Sequence, residues 1–221
     1  MNRAVALFGA GIVTLSLFAG EAAAHPHVFV EAKSELVYNE AGELAGVQHA
    51  WRFDGPFSAF AVQGLDANGD GDLSHEELAE LAQVNVESLD EYSNFTFLNR
   101  DGVDLQNPFS EAQDYWLDYS DGRLTLFFAL PLAEPIDVSG VPVTVDVYDP
   151  EYFVAFEMNQ DEPFALLNAP AECDLSVELA GSLDPMTQTQ LAAIPSDQRT
   201  IPDEYRSATT VLANTALVTC P

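Results

Sequence analysis

The residues best suited to chemistry lie in one twelve-residue stretch, Asp66 to Glu77, DANGDGDLSHEE. Oxygen-bearing side chains recur at its alternate positions: Asp66, Asn68, Asp70, Asp72 and Ser74, with Glu77 at the end. Gly71 occupies the sixth position. This is the spacing of an EF-hand loop, in which positions 1, 3, 5, 7, 9 and 12 converge on one calcium ion and a glycine at 6 permits the sharp turn. Position 7 supplies a main-chain carbonyl, so the Asp72 carboxylate adds field rather than a bond. Ser74 acts directly or through a water, and Glu77 closes the sphere with two oxygens.

The second group is the sequence His25-Pro26-His27. The preceding residues, MNRAVALFGAGIVTLSLFAGEAAA, combine Arg3, an apolar run and a small-residue end at Ala22-Ala23-Ala24. They read as a secretory signal at 1–24, cleaved after Ala24. Cleavage would leave a free α-amine and two imidazoles within three residues. Such nitrogen donors suit zinc, copper and nickel. Pro26 lacks an amide N–H, which blocks a square-planar amine–amide–amide–imidazole site. Chelation by the His25 amine and ring, with His27 added, stays open. His49 and Asp54 are the other candidate ligands. A hairpin turned at Asn39 to Gly42 sets Tyr38 against Glu43, which puts His49 opposite Ala32 and Asp54 opposite His27. His49 then faces away from His27. An enzyme with copper held by an N-terminal histidine chelate is one alternative reading. A structural domain merely stabilised by calcium is another.

No further catalytic constellation is evident: GxSxG, HExxH, a phosphate-cradling glycine loop and a dinucleotide fingerprint are all missing from the sequence. The primary reading is therefore not an enzyme. The formal charge of −29, from 36 acidic and 7 basic residues, disfavours nucleic acid and anionic membranes as partners. After signal cleavage no segment is long enough for stable membrane insertion. The two cysteines, Cys173 and Cys220, suit one disulfide in an exported chain. DLSVELA starts beside one and ALVT ends beside the other, so antiparallel pairing would bring them together.

Elements that must position these residues follow from the hydrophobic periods. VFVEAKSELVY and ELAGVQHAWRF form a hairpin, with Gly42 in the left-handed position. Phe57, Phe60, Ala61, Gly64 and Leu65 recur at helical spacing before the loop. Leu78, Leu81, Ala82, Leu89 and Tyr92 form a stripe after it, and Ser74 with Glu77 makes a capping box. FTFL, VDLQ, YWLDY, RLTLFFALPL, VPVTVDVYD and EYFVAFEM read as further strands. The fold class is α+β: an antiparallel sheet or sandwich in which an EF-hand helix–loop–helix, about 55–93, is inserted. The β-rich domain spans 25–171, and a small disulfide-closed C-terminal lobe spans 172–221.

The blocks HPHVFVEA, HAWRFD, FSAFAVQGLDANGDGDLSHEEL and VYDPEYFVAFE together resemble a bacterial family of unknown function described as the periplasmic component of an uncharacterised ABC-type transport system. The resemblance implies a periplasmic protein with an EF-hand-like loop. It also implies a role beside an inner-membrane permease of the nickel/cobalt type, with His25, His27 and His49 lying in the matching blocks.

Overall fold

The computed structural model describes residues 25–195, 198 and 200–221. The expected secretory signal at 1–24 lies outside the described residues. The chain runs through β1 (Val28–Tyr38), β2 (Leu44–Phe53), α1 (Gly55–Ala61), α2 (His75–Asp90), β3 (Thr96–Arg100), β4 (Val103–Asp104), β5 (Gln113–Ser120) and β6 (Arg123–Ile136). It continues through β7 (Val143–Val147), β8 (Val154–Met158), β9 (Phe164–Leu167), β10 (Asp174–Glu178), α3 (Pro185–Ala192), α4 (Asp203–Thr209) and β11 (Asn214–Thr219).

Two sheets form the α+β sandwich. The first has the order β5-β6-β2-β1-β8, with β9 also pairing β1, and the second has the order β10-β11-β7-β3-β4. Both are mostly antiparallel; β8 and β9 join β1 in parallel. Strict alternation makes the inner faces. Val28, Val30, Ala32, Leu36 and Tyr38 of β1 point inward, and Val143, Val145 and Val147 of β7 meet them from the other sheet in one core.

The β1–β2 hairpin forms with the expected strands, and Gly42 takes φ +80°. Its register differs from the expected one. Tyr38 pairs with Leu44, a bulge follows at Ala45, and Val37 pairs with Gly46. The shift sets His49 opposite Ser34, not Ala32. Gly46 sits where the neighbouring strand comes close: a Cβ there would lie 2.7 Å from the Leu130 carbonyl oxygen. Only a glycine fits that approach without moving backbone.

The C-terminal stretch closed by the disulfide carries β10, α3, α4 and β11. β10 and β11 complete the second sheet, with β11 hydrogen-bonded between β10 and β7. The residues between those strands, carrying α3 and α4, make a small satellite cluster around Leu191, Ile194 and Ile201. Cys173 and Cys220 are disulfide-bonded, at the end where Asp174 pairs with Thr219.

Candidate functional site

The acidic loop joins two short-range devices. Asp54 caps α1, accepting the Phe57 amide, and Pro56 lies in the first turn. The helix stops at Ala61 rather than continuing to Leu65, because the chain turns and Gly64 takes φ +80°. A glycine there ends the helix instead of belonging to it. After the loop, Ser74 caps α2. Its hydroxyl accepts the Glu77 amide, and the Glu77 carboxylate accepts the Ser74 amide, so the capping box is complete. α2 buries Leu78, Ala82 and Val86 and packs on β5. The helix that follows the loop thus leans on a sheet.

Within the loop, Gly71 has φ +90°. Side-chain oxygens fold inward onto the loop's own amides. Asp66 accepts Gly69 N–H at 2.7 Å and Gly71 N–H at 3.1 Å; Asn68 accepts Asp70 N–H at 2.8 Å; Asp70 accepts Asp72 N–H at 2.9 Å. Glu77 reaches back across the loop and accepts Ala67 N–H at 3.0 Å. Leu73 packs on the core and anchors the loop's far side. The Ser74 amide, then its hydroxyl, holds the Glu77 carboxyl below its usual range. Among the described residues no three His, Cys, Asp or Glu side chains converge as a group that could hold a metal ion. In the loop the reason is visible: Glu77 spends its oxygens on N–H donors. The donor chemistry fits calcium all the same, since the set mixes carboxylates with an amide, a hydroxyl and a main-chain carbonyl.

The histidine end is built by the turn between β7 and β8. Asp149 is 3% exposed. It accepts the amides of Glu151, Phe153 and Val154 at 2.8–2.9 Å. Burial raises its carboxyl above the ordinary value, against the lowering effect of those amides. The turn places Phe153 so that its carbonyl accepts His27 N–H at 2.8 Å. The rings of His25 and His27 lie 5.0 Å apart, and both pack on the Phe153 ring, at 5.9 and 4.5 Å. The His25–Pro26 peptide is cis. His27 Nε2 is buried without a hydrogen-bond partner. Two imidazoles side by side, one with an unsatisfied nitrogen, fit a transition metal of the zinc, copper or nickel kind.

The other two candidates are elsewhere. Asp54 stands opposite Phe29 rather than His27, and both of its oxygens accept main-chain amides, from Phe57 and Phe29, at 2.8 Å each. It ties α1 to β1. His49 is a core residue, 3% exposed, stacked on Phe128. Its partner across the hairpin is Ser34, seven residues along the chain from His27, roughly 23 Å away at about 3.3 Å per residue. The Thr96 hydroxyl donates to the Asn94 carbonyl, so toward His49 Nε2 at 3.2 Å it accepts. The ring therefore carries its proton on Nε2, and Nδ1 accepts from Ser34 at 2.9 Å. Burial pushes its pKa down to about 3. A third imidazole for an N-terminal copper chelate is thus not brought to His25 and His27.

Sequence reasoning passed over Phe153, which with Asp149 shapes the histidine end. Asp149-Pro150 marks a turn in the sequence, but only the fold shows what that turn carries.

An uncharacterised protein of Haemophilus influenzae is 23% identical over 132 residues, covering 60% of this chain and 62% of that protein's length. A broader match runs over residues 11–220, from before the histidine end to the second cysteine. By that match the chain belongs to the family described as protein of unknown function, DUF1007.

Proposed function

We propose that the protein is an exported, periplasmic calcium-binding protein that serves as an accessory to divalent-metal transport, beside an inner-membrane permease for nickel, cobalt, zinc or copper. The observation that carries the calcium half is the ligand spacing of Asp66–Glu77 on a loop whose Asp66, Asn68 and Asp70 oxygens already face inward onto the loop's own amides. Asp66, Asn68, Asp70, Ser74 and Glu77 would supply side-chain oxygens, and Asp72 its carbonyl. Glu77 would exchange its N–H donors for the cation. The unsatisfied Nε2 of His27 beside the His25 ring supports the transition-metal half.

Two measurements test the reading. Calorimetric titration with calcium should give one site, with a dissociation constant of about 10⁻⁴ to 10⁻³ M as in extracellular modules, and Glu77→Gln should weaken it at least tenfold. Millimolar calcium then adds about 1 kcal/mol of stability, visible as a small rise in Tm over a chelated sample. Identical Tm values together with no binding heat would remove the calcium half. For the histidine end, processed protein starting at His25 is compared with a form extended by one alanine and with His27→Ala. Copper should bind the processed protein tightest and fade as pH falls through about 6 to 7, where protons compete for imidazole and amine. Equal copper affinity in all three forms would leave only the calcium-stabilised structural domain.

A further inference from the structure

A cavity of about 280 Å³ opens between α2 and the inner ends of β1, β2 and β8. Its deepest walls are Val30, Trp51, Phe95 and Phe156, none more than 8% exposed. Their rings interlock, Trp51 and Phe95 both meeting Phe156 at centroid distances of 4.8 and 5.5 Å. Tyr92, 37% exposed and stacked on Phe95, stands with exposed Ser88 at the outer side. The size lies just below the usual range for organic ligands, about 300 Å³ upward, so the ligand must be small.

The polar groups around the cavity narrow the ligand. Its two carboxylates have partners of their own. Asp149 carries three main-chain amides, and Glu151 pairs with Arg206 at 2.6 Å and accepts the Ile201 amide at 2.7 Å. No uncompensated charge is left to bind an ion. On α2, Asn85 donates through Nδ2 to the Leu81 carbonyl and Ser88 donates to the Val84 carbonyl. What those two side chains have left is mostly acceptor capacity, the Asn85 Oδ1 and the Ser88 oxygen lone pairs, beside one Asn85 N–H. A net charge of −29 also disfavours anionic ligands.

We propose that this cavity binds a small neutral, largely aromatic molecule that carries an N–H or O–H donor, the ring lying against Trp51 and Phe156 and the donor facing Asn85 and Ser88. The cavity adjoins the proposed histidine site, with which it shares Asp149 and Phe153, but its ligand does not depend on a bound metal.

N-phenyl-1-naphthylamine is a suitable probe, being neutral, apolar and equipped with a single N–H. Its fluorescence should rise and shift to the blue on titration with natively purified protein, saturating at one molecule per chain. Ser88→Trp, at an exposed helix position, should obstruct the entrance and weaken binding at least tenfold. Leu89→Trp, filling the cavity from within, should do the same. The anionic relative anilinonaphthalene sulfonate should bind at least tenfold more weakly than the neutral probe. Affinity should be the same in calcium and in chelator. A linear, unsaturable signal would overturn the proposal, as would unchanged affinity in both tryptophan variants, or a preference for the sulfonate. Loss of binding in chelator would also overturn it, by assigning the probe to a metal centre.

Discussion

At the residue scale, His49 shows how a potential ligand becomes a structural group. Its neighbours Ser34 and Thr96 use both ring nitrogens, and the sandwich excludes water from it. With a folded pKa of about 3 and an unfolded value of about 6.5, the unfolded chain binds the extra proton between those limits. His49 therefore supports the fold fully above about pH 6.5, and that contribution falls as pH drops toward 3, at up to about 1.4 kcal/mol per pH unit. Urea unfolding at pH 6.5 and pH 5 should show the native protein losing about 2 kcal/mol more than His49→Gln over that interval. Parallel losses would mean that the imidazole is hydrated in the folded state.

At the element scale, the short helix α1 is held by one side chain doing two things. The Asp54 Oδ1 caps the helix and its Oδ2 fixes Phe29 at the start of β1. Asp54→Ala removes the cap and leaves the Phe29 amide to find water. The expected cost is about 1–2 kcal/mol, seen as a lower urea midpoint at unchanged slope. Because α1 leads into Asp66–Glu77, calcium affinity should fall with it. Asp54→Asn keeps an oxygen acceptor and should recover most of the stability. A transition-metal role for Asp54 predicts instead that copper affinity, not the urea midpoint, is the quantity that changes.

For the whole molecule, the dominant long-range quantity is charge. With 36 acidic and 7 basic side chains, the compact state confines strong self-repulsion. Among the described residues salt bridges are few and mostly at partly or fully exposed side chains, such as Lys33 with Glu162 and Arg52 with Asp121. Screening should therefore stabilise the fold. In the presence of chelator, raising sodium chloride from about 0.01 M to 1 M shortens the screening length from about 30 to 3 Å. Tm should rise by several degrees, before any specific effect of calcium. A flat or falling Tm would show that the carboxylates are spaced widely enough not to matter.

The elements themselves were legible because their causes are local. Alternating apolar residues dictate β1, β2, β6 and β7, and Ser74 and Glu77 dictate the start of α2. The Cys173–Cys220 bridge followed from two strand ends that had to meet. The ligand spacing of Asp66–Glu77 is likewise a property of twelve consecutive residues. What the tertiary structure decided are the relations that depend on distant neighbours. The bulge at Ala45, beside the close approach of Leu130 to Gly46, moved the hairpin register and with it the partners of His49 and Asp54. The pairing of β11 with β7 joined the C-terminal strands to the sandwich, because an isolated β10–β11 ribbon would leave one face and one edge unburied. The same packing set Phe153 against His25 and His27 and enclosed the aromatic cavity. Local sequence fixes dihedrals and faces; burial and register are settled only when two sheets close on each other.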